Sequence, residues 1–274
     1  MSHHALQRAL VVALHDPTFA GAVRADPDRA LAPFGLSAEE RAQLMAVDPR
    51  AFGIDRLRSR RVLKAIVEEL KGSMAIALSQ ARSFTFADGF FVSPSFRAAV
   101  IEDRPLVLAL ADYIGAAVDA GRLTAQVAGV LAIERAQAEA RRDAGVPAPG
   151  LSLAPGVRLL ATDSAAMAAL QAAERHLFEL SLTPHMALCD DRPALELPVV
   201  TARPLYLAVR ASGGEVALGE VPEPLFRSLS ALAARAPLDR GQVPSVLAAV
   251  RLRVADTDRL IDDLVADGYM VEAS

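Results

Sequence analysis

Gly213 and Gly214 stand between two short runs of strand formers, Leu205 to Arg210 and Glu215 to Leu218, and this juxtaposition restricts the fold more tightly than any other stretch. A Gly pair accepts the positive φ angles of a two-residue turn, so the two runs are tied into an antiparallel hairpin. Three apolar sets follow: Leu225, Phe226, Leu229 and Leu232; Val243, Val246, Leu247 and Val250; Leu260, Ile261, Leu264 and Val265. Spacings of three and four place each set on one helical face. A hairpin followed by three short helices, within 204–274, outlines a winged-helix-like unit.

Such a unit serves nucleic acid or peptide, and its charges separate the two. A DNA-reading helix presents Arg and Lys to phosphates. The third helix instead carries Asp256, Asp258, Asp262, Asp263 and Asp267 against Arg259 alone. The peptide mode adds an extended segment to the hairpin edge and seats its apolar side chains against the last helix. That reading places the binding edge at Glu215, Val216, Ala217, Leu218 and Gly219, with Leu260 and Leu264 as the apolar support. A winged-helix DNA-binding regulator is the alternative.

The chain has 274 residues, 53% of them hydrophobic, enough for one large core or two small ones. A net charge of −4 gives no general attraction to nucleic acid or anionic membrane. The single cysteine, Cys189, has no intrachain disulfide partner, and the N-terminus shows no basic leader with an apolar core. No charge-free apolar run reaches membrane-spanning length. A cytoplasmic protein is expected.

Helix starts are written into the first third. Asp16-Pro17, Asp26-Pro27 and Asp48-Pro49 each set a capping carboxylate before a proline at the first helical position. Ser37 and Glu40 form a capping box, with Gly35 closing the helix before it. A long helix is expected over about 54–81, and its first turns hold Arg56, Arg58, Arg60, Arg61 and Lys64. That charge run is either a solvated face or a docking surface for an acidic partner. Phe84, Phe86, Phe90, Phe91 and Phe96 cluster around a turn and read as a core plug, or, if exposed, as an interface. Helices at 105–120 and 123–143 lead into a linker at 144–150. A strand at 156–161, a helix from Asp163 to about Leu180, and a further strand at 195–200 follow. The fold class is therefore an α-rich α+β protein: a helical domain, 1–145, then a smaller α/β domain, 150–274, ending in the winged-helix-like unit.

Catalytic patterns are sparse. None of His3, His4, His15, His176 and His185 belongs to a His-Glu-x-x-His or paired-cysteine arrangement, and no Gly-rich phosphate loop or Gly-x-Ser-x-Gly elbow occurs. His185 and Cys189, beside Asp190 and Asp191, are the one candidate metal or redox group. Adjacent carboxylates such as Glu68-Glu69 and Asp262-Asp263 diverge on a helix and form no acid/base dyad. These absences point to a non-catalytic chain that binds no cofactor itself; a small helical enzyme or a dioxygenase-type small subunit is the second alternative.

Five stretches in order, 6–17 (LQRALVVALHDP), 103–113 (DRPLVLALADY), 131–136 (LAIERA), 155–160 (PGVRLL) and 205–210 (LYLAVR), resemble the partner subunits of multinuclear non-haem iron oxidative enzymes that modify ribosomally made peptides. The resemblance implies a helical half that docks on the iron enzyme and a C-terminal half that captures the precursor's leader peptide. It assigns the iron to the partner, and a cysteine of the precursor as the modified residue. The stretch 26–40 (DPDRALAPFGLSAEE) resembles the helical small subunit of ring-cleaving dioxygenases of the protocatechuate type.

Overall fold

The computed structural model describes residues 3–53, 56–143, 145–181, 195–252 and 254–273, without the side chains of Pro49, Arg56, Leu57 and Ser181. It is an α-rich α+β fold. Among the described residues no helix is long and apolar enough to cross a membrane. The chain divides into two compact units, Met1–Ala128 with Ala173–Glu196, and Gly129–Ala172 with Leu197–Ser274. The stretch 145–150 lies inside the second.

The first unit is built from α1 (His4–His15), α2 (Pro17–Ala25), α3 (Pro27–Leu31), α4 (Ala38–Met45), α5 (Arg56–Val67), α6 (Lys71–Ala81), α7 (Thr85–Asp88), α8 (Pro94–Glu102), α9 (Leu106–Asp119) and the start of α10 (Ala125–Arg142). Its helix starts follow the capping chemistry. Asp16 Oδ1 accepts from the backbone N–H groups of Thr18 and Phe19 at 2.9 and 3.1 Å. Asp26 accepts from Arg29 N at 3.1 Å, and Ser37 and Glu40 close their reciprocal box at 3.2 and 3.0 Å. Asp48 caps as well, but it opens a short 3-10 turn, Pro49–Phe52, rather than an α-helix.

Asp16 does more than cap. It is 1% exposed, and its Oδ2 accepts from Arg97 Nη2 on α8 at 2.5 Å. Burial pushes this carboxyl up, but hydrogen bonds from Thr18, Arg97 and Phe19 outweigh that and hold it below the ordinary aspartate value.

The expected long helix over 54–81 is two helices, α5 and α6, joined at Leu70. Leu70 is completely buried, with φ −128° and ψ 33°, and its N–H bonds to Val67 O. The apolar periodicity runs through the break, so spacing alone cannot show it. What turns the chain is the seating of Leu70 in the core, followed by Gly72 and Ser73, two weak helix formers that are themselves buried. The phenylalanine cluster is core: Phe90, Phe91 and Phe96 are buried, and Phe90 meets Phe96 edge-on with ring centroids 5.4 Å apart.

The second unit contains the rest of α10, then β1 (Gly150–Leu153), β2 (Val157–Asp163), α11 (Ser164–Ser181), β3 (Pro204–Ser212), β4 (Glu215–Glu220), α12 (Glu223–Ala233), α13 (Val243–Ala249), α14 (Thr257–Ala266) and β5 (Met270–Ala273), with α11 ending in the first unit. One antiparallel sheet has the order β2-β3-β4, and a second pairs β1 with β5. The hairpin and three helices are present, and their core gathers Leu229, Leu232, Val246, Leu247, Ile261 and Leu264. Leu151 of β1 and Met270 of β5 complete it. At the head of this unit Asp143 accepts from Arg158 Nη1 at 2.8 Å and from Gly156 N at 3.2 Å. Arg158 and the two backbone donors Gly156 and Gly145 hold its carboxyl below the usual range against a smaller effect of burial.

The strand expected at 195–200 does not form. Both sides of β3 are already taken by β2 and β4, and Pro198 has no N–H to give a ladder. Val199 is fully exposed, while Leu195 N–H before it donates to Ser79 Oγ at 3.2 Å, and beyond it Ser164 Oγ donates to Thr201 O and accepts from Arg203 N.

Candidate functional site

The last strand of the β2-β3-β4 sheet, β4, carries four of the five edge positions read from the sequence as interior residues and Glu215 as its first. Among the described residues nothing pairs with its second side. The hairpin closes at Ser212↔Glu215 and runs through Ala211↔Val216, Arg210↔Ala217 and Val209↔Leu218 to Leu207↔Glu220.

Which backbone groups face the open edge follows from one hydrogen bond. Ala211 N–H donates to Gly156 O at 3.0 Å, on the β2 side. Opposed residues in an antiparallel ladder exchange both bonds or neither, so Val216, facing Ala211, turns its own N–H and C=O outward. The same phase recurs at Leu218 and Glu220. The other phase bonds to β3, as Val221 N–H does to Tyr206 O at 2.8 Å. The open edge therefore offers the donors and acceptors of Val216, Leu218 and Glu220.

The two faces of β4 differ. Val216 and Leu218 are half-buried against Val209 of β3 and Ala136 and Ala140 of α10. On the opposite face Glu215, Ala217 and Gly219 are exposed. There Glu215 and Ala217 border a cleft of about 490 Å³ that is also lined by Val157, Arg210, Ser212 and Gly268. Arg210 Nη1 donates to Asp267 O at 2.8 Å, and its guanidinium lies 5.1 Å from the centroid of the Tyr269 ring. A cation on an aromatic face is attracted by the ring quadrupole, so this arginine is held in place beside the cleft.

Leu260 and Leu264 belong to the core of the three helices. Leu264 is 3% exposed inside the core, and Leu260 packs against the same cluster. Beyond the far end of α14, Gly268 lines the cleft and Asp267 O holds Arg210 beside it. Glu220, Arg210 and Tyr269 are the additions that the structure makes to the site. Counting alternate residues from the glycine turn reaches Glu220, but no local signal links Arg210 to a tyrosine so far along the chain.

The α5 cations divide as well. Arg58 is half-buried and donates to Leu14 O at 3.3 Å, so it helps tie α5 to α1. Arg60, Arg61 and Lys64 are exposed, and their spacings of three and four put them on one face. The Arg56 side chain, His185 and Cys189 lie outside the described residues. Among the described residues no three His, Cys, Asp or Glu side chains converge as metal ligands.

The last helix keeps its acidic surface in the fold. Asp258, Asp262, Asp263 and Asp267 are all exposed, and Asp256 caps the helix by accepting from Arg259 N at 3.0 Å. Asp262 also accepts from Arg240, which forks onto Glu272 of β5. These pairs raise the arginine's pKa and lower that of Glu272. No protein-family model, curated protein or solved structure matches this chain.

Proposed function

We propose that this chain is a non-catalytic accessory subunit that binds an extended peptide by adding it as a fourth strand to β4. The observation that carries the reading is the open edge at Val216, Leu218 and Glu220, with an apolar flank on one face and a cleft on the other. Main-chain bonds to such an edge give affinity, and the pockets beside alternate side chains give selectivity.

The resemblance of 6–17, 103–113, 131–136, 155–160 and 205–210 extends the proposal. The peptide is the leader of a ribosomally made precursor, and the partner is a cytoplasmic multinuclear non-haem iron oxidative enzyme. The exposed face of Arg60, Arg61 and Lys64 is the proposed docking surface on that partner. Tethering the precursor raises the concentration of its core, a cysteine in this reading, at the iron site.

The test is co-expression with the products of neighbouring reading frames. The expected result is an iron-containing complex with this chain, and a short peptide retained by the wild type and lost by Val216→Pro. A chain that retains no peptide, or retains it equally in the proline variant, overturns the strand-addition reading. A complex without iron overturns the proposed partner.

A further inference from the structure

Resting on the strand-addition reading, we infer that the occupant of the β4 edge carries Lys or Arg at two positions five residues apart, with apolar side chains opposite Val216 and Leu218 between them. The composition of the edge calls for that spacing. Its first and last residues, Glu215 and Glu220, are both exposed, and between them lie only Val216, Ala217, Leu218 and Gly219.

Glu215 and Glu220 fall on opposite faces of the strand because side chains alternate. An added strand places one residue opposite each. Opposite charges facing each other across a ladder attract, and like charges repel. A strand bound in either direction spans the same five steps between the two glutamates, so the spacing of the cations does not depend on its polarity. Opposite Val216 and Leu218 it meets half-buried apolar side chains that pack on Val209, which calls for apolar residues there. Opposite Ala217 and Gly219 it meets almost no side chain, and the cleft beside Ala217, bordered by Arg210 and Ser212, leaves room for a larger group of either character.

A second copy of this chain is a poorer occupant. The stretch 211–226, which contains β4 and its flanks, holds Glu215, Glu220 and Glu223 and no Lys or Arg. Edge-to-edge pairing of two copies within it leaves every glutamate without a cation opposite. Arg210 does not fill that role for Glu215 within the chain, since its guanidinium is engaged by Asp267 O and the Tyr269 ring.

The experiment is selection from a random peptide library displayed on phage, against the purified full chain at low ionic strength. It is run in parallel with Val216→Pro and with the double variants Glu215→Lys/Glu220→Lys and Glu215→Gln/Glu220→Gln. The wild type is expected to enrich peptides with basic residues five apart that Val216→Pro fails to hold, and the lysine variant to enrich acidic residues at that spacing. A synthetic selected peptide is expected to bind the glutamine variant roughly 2- to 30-fold more weakly, the size of two cross-strand charge pairs. Edge-dependent peptides that lack the basic pair, or that bind the charge-reversed variant equally well, overturn this inference and leave strand addition standing. Enriched peptides that are all indifferent to Val216→Pro overturn strand addition itself. A wild-type dimer that Val216→Pro disperses, seen by light scattering, shows the second copy to be the occupant.

Discussion

Ala211 N–H donates to Gly156 O at 3.0 Å, and by that bond Val216, its partner across the hairpin, is left with its own N–H turned to the open side of the sheet. The whole site depends on this phase, because a one-residue slip exchanges the outward and inward groups along β4.

Amide exchange reads the phase directly. The N–H groups of Val216, Leu218 and Glu220 are expected to exchange fast, and those of Ala217 and Gly219, bonded to β3, slowly. Hydrogen-exchange NMR on the free chain checks this. The reverse pattern refutes the assigned register.

Proline substitutions separate the edge from the hairpin. Val216→Pro removes an outward donor and is expected to leave the thermal midpoint nearly unchanged. Ala217→Pro removes a donor to β3 and is expected to cost roughly 1–3 kcal/mol more, the penalty of an unmade ladder bond. Thermal unfolding of the two variants, side by side, is the measurement.

Gly156 supplies the acceptor at φ +77°, and a Cβ there would stand 2.8 Å from Ala211 O. Gly156→Ala is therefore expected to cost about 1–3 kcal/mol through left-handed strain and the displaced carbonyl. Chemical denaturation measures it, and loss of protection at Ala211 N–H locates the damage.

A close approach limits another glycine. A Cβ on Gly129 of α10 would lie 2.6 Å from the Ala166 Cβ of α11. Gly129→Ala is expected to destabilise the second unit by about 1–3 kcal/mol, as overpacking does. The double variant Gly129→Ala/Ala166→Gly should recover much of that loss in thermal melts, which a purely helical-propensity effect would not produce.

The acid limb of stability has a defined direction. Asp16 and Asp143 titrate below their ordinary range in the folded chain. Their contribution is thus complete above the unfolded aspartate value, near pH 4, and is lost as pH falls through the lower folded values. Asp16→Asn cannot lose a charge there, so its stability should fall less steeply with acid than the wild type's. At neutral pH the same variant is expected to be weaker by roughly 2–3 kcal/mol, from a poorer cap and the lost charged bond to Arg97. Urea titrations between neutral and acidic pH compare the two slopes.

Sequence and tertiary structure decide different things here, and the range of each interaction separates them. Asp16, Asp26, Ser37 with Glu40, and Gly213 with Gly214 act on backbone groups within a few residues, so the helix starts and the hairpin turn are legible in the order of amino acids. The three helices after the hairpin are legible for the same reason, since a face repeats within a turn or two. The break at Leu70 is not, because the apolar face continues through it and only the core's claim on that side chain bends the chain. Nor is the pairing of Gly150–Leu153 with Met270–Ala273, nor the absence of a strand at 195–200. The edge residues are legible in the sequence, and so is their outward phase, since a two-residue turn closes on the bonded pair Ser212↔Glu215 and turns Val216 outward. That β4 is the edge at all is not legible: it rests on β2, far away in the chain, taking the other side of β3.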